Sequence, residues 1–312
     1  MAEIKIDPQG AGTFIPTPGD VQPAPLGDST ATAPANDVYS EEEASDPAKI
    51  RVDVADTDSP LVVLFGPKSC GKTMTVVRLT RYLKSKGFSV DPVPSFRPTW
   101  DNNYKKLCGG FDALIYSDDA AQATDRINFM LIKVSYQGRP ICQILEAPGE
   151  GYFQPGEPRH QPFPPYVDAI ISSRNRKIWC VMVEPDDTNP VMTKEVRAQY
   201  ADKVAQLKSK IKARDRVVFV LNKVDATPFV VAPGVVKYGL AKQSVGYNYP
   251  NIFVPFTNVN PVTRLWRPFD FDFIAYQTGT YYTAGDGTLT FTEGDDVYPR
   301  NLWNLIQKRV RG

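Results

Sequence analysis

The sequence predicts an α/β fold with a mostly parallel sheet and helices on both faces, and three observations carry that reading. Apolar runs of strand length recur at 61–65, 141–145, 177–183 and 217–221. Helix-period segments lie between them, and the first run passes directly into Gly66-Pro67-Lys68-Ser69-Cys70-Gly71-Lys72-Thr73. Buried runs that alternate with helices build a parallel sheet, because a crossover helix returns the chain to start the next parallel strand.

Residues 1–55 come first and read as a disordered tail. They mix Pro, Ala, Thr, Gly, Asp and Glu with few aromatics and carry the acidic cluster Glu41-Glu42-Glu43, so they hold too little apolar surface to offset the entropy of ordering. Such a segment serves as a tether or docking tail. The domain proper is expected over 56–312.

The strand at 61–65 feeds a glycine-bounded loop fitting G-x-x-x-x-G-K-[ST]. In that context backbone N–H groups from Gly66, Lys68, Ser69, Cys70 and Gly71 curl around a phosphate, Lys72 brings a mobile positive charge, and the Thr73 hydroxyl can hold Mg²⁺. Val76, Val77, Leu79 and Leu83 then recur at helical spacing, with Arg78, Arg81, Lys84 and Lys86 between them. Farther on, the run beginning at Ile127 and the run at 141–145 flank Gln137-Gly138 as a β-hairpin. Lys177-Ile178-Trp179-Cys180-Val181-Met182-Val183 is the next strand. Asn189-Pro190 is read as the cap of a helix with the apolar stripe Met192, Val196, Tyr200, Val204, Leu207 and Ile211.

The run at 217–221 ends in Asn222-Lys223-Val224-Asp225. A carboxylate at Asp225 accepts from both the ring N–H and the exocyclic amine of guanine, whereas adenine presents neither donor on that edge. The Lys223 stem can lie along the base while Asn222 braces the loop.

With a phosphate loop and N-K-x-D each following a strand, the chain resembles the P-loop GTPases of the Ras-like and translation-factor class over roughly residues 60 to 260 plus the final helix. Further site residues follow by position. Glu146-Ala147-Pro148-Gly149 stands where the family has D-x-x-G, so the resemblance implies that Glu146 holds Mg²⁺ and that Gly149 meets the γ-phosphate. Glu146 replaces the family Asp and is one methylene longer, which alters its reach to a cation of strict geometry. Thr124, at the family's usual separation from the acid, is implied as the switch threonine on Mg²⁺ and γ-phosphate; Thr99 is the alternative. Thr257 and Asn258, after a strand expected at 251–256, stand where the family supports the base.

Residues 100–123 and 269–296 exceed a minimal GTPase. The first is an insertion in the first switch region, and the second reads as a β-hairpin, 274–283 and 288–292, turned at 284–287. Its aromatics Tyr276, Tyr281, Tyr282 and Phe291 suit either a partner surface or packing on the domain. A helix over 299–310 closes the fold.

GTP hydrolysis needs a positioned water and charge stabilisation on the γ-phosphate. Lys72, Thr124 and Gly149 supply the implied static parts. Glu150 occupies the position of the family's water-orienting Gln or His, and a carboxylate facing a polyanion argues for slow intrinsic turnover. Arg97, Arg126 and Arg159 are candidate arginine fingers, each also readable as a solvated loop residue. His160, the sole histidine, lies in a proline-rich loop, and its solitude excludes a multi-histidine metal site.

A 312-residue chain with 42% hydrophobic residues and net charge +1 buries a sizeable core and carries no overall bias toward nucleic acid or membrane. No stretch has transmembrane length, and the N-terminus lacks a secretion-signal pattern. Cys70, Cys108, Cys142 and Cys180 lack metal-ligand spacing and read as reduced cytosolic thiols, with Cys70 open to redox sensitivity beside a helix N-terminus. These features together predict a cytoplasmic, Mg²⁺-dependent GTP/GDP switch read by a protein effector or regulator. A GTP-binding scaffold with little hydrolysis is the second reading. An ATP-using phosphotransferase is the third, and it leaves Asp225 without a role.

Overall fold

A computed structural model describes residues 46, 49–117, 129–158, 161–186, 188–283 and 289–311. The central strand is β1 (Leu61–Phe65), and the phosphate loop joins it to α1 (Lys72–Ser85). Next come β2 (Phe88–Pro92), the short helices α2 (Asn102–Gly109) and α3 (Phe111–Tyr116), and the hairpin β3 (Met130–Tyr136) and β4 (Arg139–Glu146). One helical turn, α4 (Gly149–Tyr152), precedes α5 (Pro165–Ser172), β5 (Lys177–Val183) and α6 (Lys194–Lys210). The remainder is β6 (Arg216–Leu221), the small ribbon β7 (Val230–Ala232) and β8 (Val235–Val236), α7 (Tyr238–Asn248), α8 (Pro261–Arg264), β9 (Asp272–Ala275), the hairpin β10 (Gly279–Thr283) and β11 (Leu289–Glu293), and α9 (Val297–Arg311).

The large sheet has the order β2-β3-β4-β1-β5-β6-β9. Pairing is parallel from β4 through β9, and β3 alone runs against the rest. This is the mostly parallel α/β architecture that the sequence predicts. Side chains alternate faces along each strand, and this decides what meets the helices. Phe65 turns toward α4 and α6, with Tyr152 4.7 Å and Tyr200 6.2 Å from its ring centre. Leu64 and its register partner Glu146 turn the other way, toward α1.

Four expectations need correction. First, the tail does not extend to residue 55: Ile50 and Val54 are buried in the core, and the Asp53 N–H donates to the Phe96 carbonyl at 2.9 Å. Second, 251–256 is not a strand. Asn251 has a left-handed φ of 64° and Pro255 lacks an N–H, so the segment turns into a short 3-10 helix, Val254–Phe256, with Phe253 and Phe256 packed on Phe219. The place beside β6 goes to β9, where Ile274 pairs with Val220.

Third, the hairpin is therefore shorter than expected, since Ile274 belongs to the large sheet. Phe291 is buried under the Arg81 guanidinium at 4.9 Å, whereas Tyr282 is solvent-facing. The expected turn at 284–287 lies outside the described residues. Fourth, the helix expected to be capped by Asn189-Pro190 starts later: Thr193 caps α6 by accepting the Val196 N–H at 3.4 Å. Within the first insertion, Asp101 caps α2 by accepting the Tyr104 N–H at 2.9 Å.

Candidate functional site

The carboxyl ends of β1, β4, β5 and β6 converge on the phosphate loop, which is where open parallel sheets bind ligands. Lys72 is buried, and its amine donates to the Gly66 and Pro67 carbonyls at 3.1 and 2.9 Å. The Thr73 hydroxyl donates to Glu146 Oε1 at 3.1 Å, bringing together two residues 73 positions apart. Burial pushes the Glu146 carboxyl up to about 7, against the opposing pull of Lys72 and Thr73. Its second oxygen, Oε2, is buried without a hydrogen-bond partner.

That orphaned oxygen beside a threonine hydroxyl is a hard-oxygen donor pair that fits Mg²⁺. Thr73 and Glu146 would hold it, and bound there it would neutralise phosphate charge. Because the folded-state pKa of Glu146 lies above its ordinary value, its contribution to stability is complete at low pH and is lost as pH rises through about 7. The metal-free protein in chelator is therefore expected to melt lower at pH 8 than at pH 5.5, and Glu146→Gln to flatten that slope, as read by thermal unfolding across pH.

Gly149 lies hard against the loop: a Cβ there would meet the Lys68 nitrogen at 2.4 Å and the Pro67 carbonyl carbon at 2.5 Å. Both neighbours are backbone, so Gly149→Ala must displace the phosphate loop. Its GDP affinity is expected to fall at least tenfold in equilibrium titration, a shift of about 1.4 kcal/mol or more. Glu150, next in sequence, is half-buried and pairs with Lys68 at 2.9 Å. Burial raises its pKa, but its own backbone N–H and Lys68 outweigh that, so the carboxyl sits below its ordinary value.

The N-K-x-D segment is clasped to the phosphate loop. Asn222 Nδ2 donates to the Cys70 carbonyl at 3.0 Å, and Lys223 Nζ donates to the Ser69 carbonyl at 3.3 Å. Lys223, at a left-handed φ of 54°, also pairs at 2.7 Å with Glu184, a fully buried carboxylate that accepts from Asn189 Nδ2 at 2.8 Å. Sequence reasoning missed Glu184; its signal was an acid directly after the apolar run 177–183. Asp225 is left facing solvent at the rim, crowded enough that desolvation raises its pKa.

Thr257 and Asn258 do not join this site. Thr257 bridges Phe269 and the Asn258 N–H donates to Pro268, both ahead of the amino end of β9, whereas Asp225 follows the carboxyl end of the parallel β6. The segment beside the N-K-x-D loop is 276–278 instead. The Tyr276 carbonyl accepts the Val224 N–H at 3.2 Å, and Thr278 shares a hydrogen bond with Tyr281 at 2.7 Å.

Arg97 is not placed as a finger, because it is buried, pairs with Asp101 at 3.0 Å and covers the Phe129 ring at 5.1 Å. Thr99 is exposed in the turn ahead of α2. Thr124, Arg126, Arg159 and His160 lie outside the described residues. Cys70 is fully buried, and burial pushes its thiol up to about 11, the reverse of an activated thiolate. No described helix is long and apolar enough to cross a membrane.

The sheet order, the phosphate loop after its central strand and the N-K-x-D segment clasped to that loop make this a divergent P-loop GTPase-like fold. No protein-family model matches the chain, and no curated protein matches it in sequence. Among solved structures, the chain is similar to one of the signal recognition particle receptor SRb-GTP/SRX complex from Chaetomium thermophilum. The identity is 11%, 80% of this chain and 98% of that one are covered, and the TM-score is 0.40. It is also similar to the S. cerevisiae Ski7 GTPase-like domain bound to GDP and inorganic phosphate, at 11% identity, with 82% of this chain and 51% of that one covered and a TM-score of 0.41.

Proposed function

We propose that this chain binds guanine nucleotide with Mg²⁺ and hydrolyses GTP slowly, acting as a switch that a protein partner reads. The observation that carries the proposal is the 3.0 Å hydrogen bond from Asn222 to the Cys70 carbonyl, which ties the N-K-x-D segment to the phosphate loop. A phosphate loop alone suits any nucleoside triphosphate; clasped through Asn222 to the segment that carries Asp225, it suits a guanine nucleotide.

In the proposed reaction, Lys72 releases its loop carbonyls for the phosphate oxygens and supplies charge where it develops. Thr73 and Glu146 hold the metal, and the close approach of Gly149 to Lys68 ties the second switch segment to the phosphates. The switch rests on that tie: a γ-phosphate between the loop and α4 biases the position of the segment after Gly149. The exposed Tyr282 of the hairpin offers a partner contact.

A scaffold that binds GTP without turnover is the second reading, and the Lys68–Glu150 pair favours it, because the side chain after Gly149 is already engaged. Single-turnover phosphate release at saturating Mg²⁺, with ATP in parallel and Lys72→Ala as control, separates the readings. Release from GTP alone, lost in the control, is the expected result. Bound but intact GTP establishes the scaffold, and release from ATP overturns the base assignment.

A further inference from the structure

The loop that leads the chain into β9 turns its polar groups inward and its apolar side chains outward. Its neck is closed by the bridge between Thr257 and Phe269, and by hydrogen bonds from the Asn258 N–H to the Pro268 carbonyl at 2.9 Å and from the Asp270 N–H to the Phe256 carbonyl at 2.8 Å. Inside it, Asn260 Oδ1 accepts the N–H groups of Val262 and Thr263 at 3.0 and 3.3 Å, and Asn258 Nδ2 donates to Thr263 Oγ1 at 2.9 Å. The N–H groups of Arg264, Leu265, Trp266 and Arg267 all donate to carbonyls between Asn260 and Thr263. Yet Val259 is 94%, Leu265 78% and Trp266 74% exposed, and Val262 also faces solvent. A loop ordered this closely that still presents its apolar side chains to water marks an interaction surface.

Charge says what that surface meets. Residues 226–269 contain no Asp or Glu, in a chain that carries 35 of them. Arg264 and Arg267, both exposed, directly flank Leu265-Trp266. Arg267 pairs with Asp270 at 3.1 Å, whereas Arg264 has no carboxylate partner among the described residues.

We propose that the tip 259–267 docks this protein on an anionic lipid surface, with Leu265 and Trp266 entering the boundary between headgroups and acyl chains and Arg264 facing the lipid phosphates. Backbone that enters an apolar layer must bring its own hydrogen bonds, and the N–H groups from Val262 to Arg267 already have theirs. Tryptophan suits this boundary because its ring is apolar while its N–H reaches water, and basic neighbours draw the tip to an anionic leaflet. A fluid lipid layer takes up a protruding tip without a matching groove. A second copy docked tip to tip would set this acid-free surface against itself, so like charges would oppose it. The loop lies ahead of the amino end of β9, and the phosphate loop follows the carboxyl end of β1, which runs the same way in the sheet. Docking by the tip therefore leaves the nucleotide site in water, and it is independent of whether GTP is hydrolysed.

Co-sedimentation of the full chain with vesicles of phosphatidylcholine, alone or in equal parts with phosphatidylglycerol, tests the proposal. The chain is expected to bind the mixed vesicles far better than the neutral ones, and less as salt is raised. Joint Leu265→Ser and Trp266→Ser substitution is expected to lower partitioning at least about tenfold, and Arg264→Ala about fivefold. Both variants should melt near wild type, since these side chains face solvent. In vesicles with brominated acyl chains, wild-type tryptophan fluorescence is expected to be quenched; Trp266→Phe, which keeps an apolar ring at the tip, should still bind but lose that quenching. A wild-type chain that ignores the mixed vesicles overturns the proposal, as does a joint variant that binds as tightly as wild type, or quenching that survives in Trp266→Phe. Wild-type dimers in sedimentation velocity that the joint variant converts to monomers assign the tip to a second copy and overturn it as well.

Discussion

Asp225→Asn is expected to weaken GDP binding by about two to four orders of magnitude, because it removes a carboxylate accepting two hydrogen bonds from guanine, each charge-assisted bond being worth roughly 1.5–3 kcal/mol. The amide keeps one acceptor and turns the other into a donor. Facing the exocyclic amine of guanine, that donor meets a donor; facing the C2 oxygen of xanthine, it meets an acceptor. The variant is therefore expected to prefer XDP over GDP. Asp225 is at the solvent-facing rim and supports no core packing, so its melting temperature should stay near wild type. Competition titrations with GDP, XDP and ADP check this. Unchanged GDP affinity would remove Asp225 from base reading.

Arg78→Met has the largest expected effect on stability. Arg78 is 2% exposed on α1, pairs with Glu293 at 2.9 Å and Asp296 at 2.6 Å, and donates to the Gly294 carbonyl at 2.8 Å. This latch holds the return strand of the hairpin on the helix that opens from the phosphate loop. Methionine keeps much of the apolar stem and loses all three contacts. Both carboxylates reach water, which limits the loss to about 2–4 kcal/mol, or roughly 5–12 °C in Tm for a domain of this size. GDP affinity should fall with it, because segment 276–278, beside the Asp225 loop, leads directly into β10. Lys86→Ala is the control. Lys86 pairs with Asp296 at 3.6 Å but both side chains are about half exposed, so about 0.5 kcal/mol or less is expected. Thermal unfolding and GDP titration of both variants check the contrast.

How much was legible followed the range of the physics. The phosphate loop, N-K-x-D and the strands around them are contiguous in sequence, so their glycines, apolar runs and polar ends could be read directly. Thr73 and Glu146 were assigned one metal from their motifs, and the structure places their side chains in contact. Glu184 was missed because a single acid after a strand has no local pattern; only the fold brings Lys223 and Asn189 to it. Thr257 and Asn258 were misplaced because an apolar, aromatic run at 251–256 reads as a strand by composition. Asn251 and Pro255 instead end its extended backbone, and its phenylalanines serve as packing for β6.

Arg97 shows the same limit for a charge. In sequence it is a loop arginine between switch motifs; in the fold, Asp101 and the Phe129 face compensate its burial. By position Glu150 is a carboxylate facing phosphate; in the fold it pairs with Lys68. The sequence alone predicted the class of fold and put the two strongest motifs at the ends of buried strands, since backbone geometry and strand burial depend on neighbouring residues. Only the tertiary structure decided which charges are paired, which strand completes the sheet and which polar atoms are buried without a partner, because burial and electrostatic pairing are set by residues tens to hundreds of positions apart along the chain.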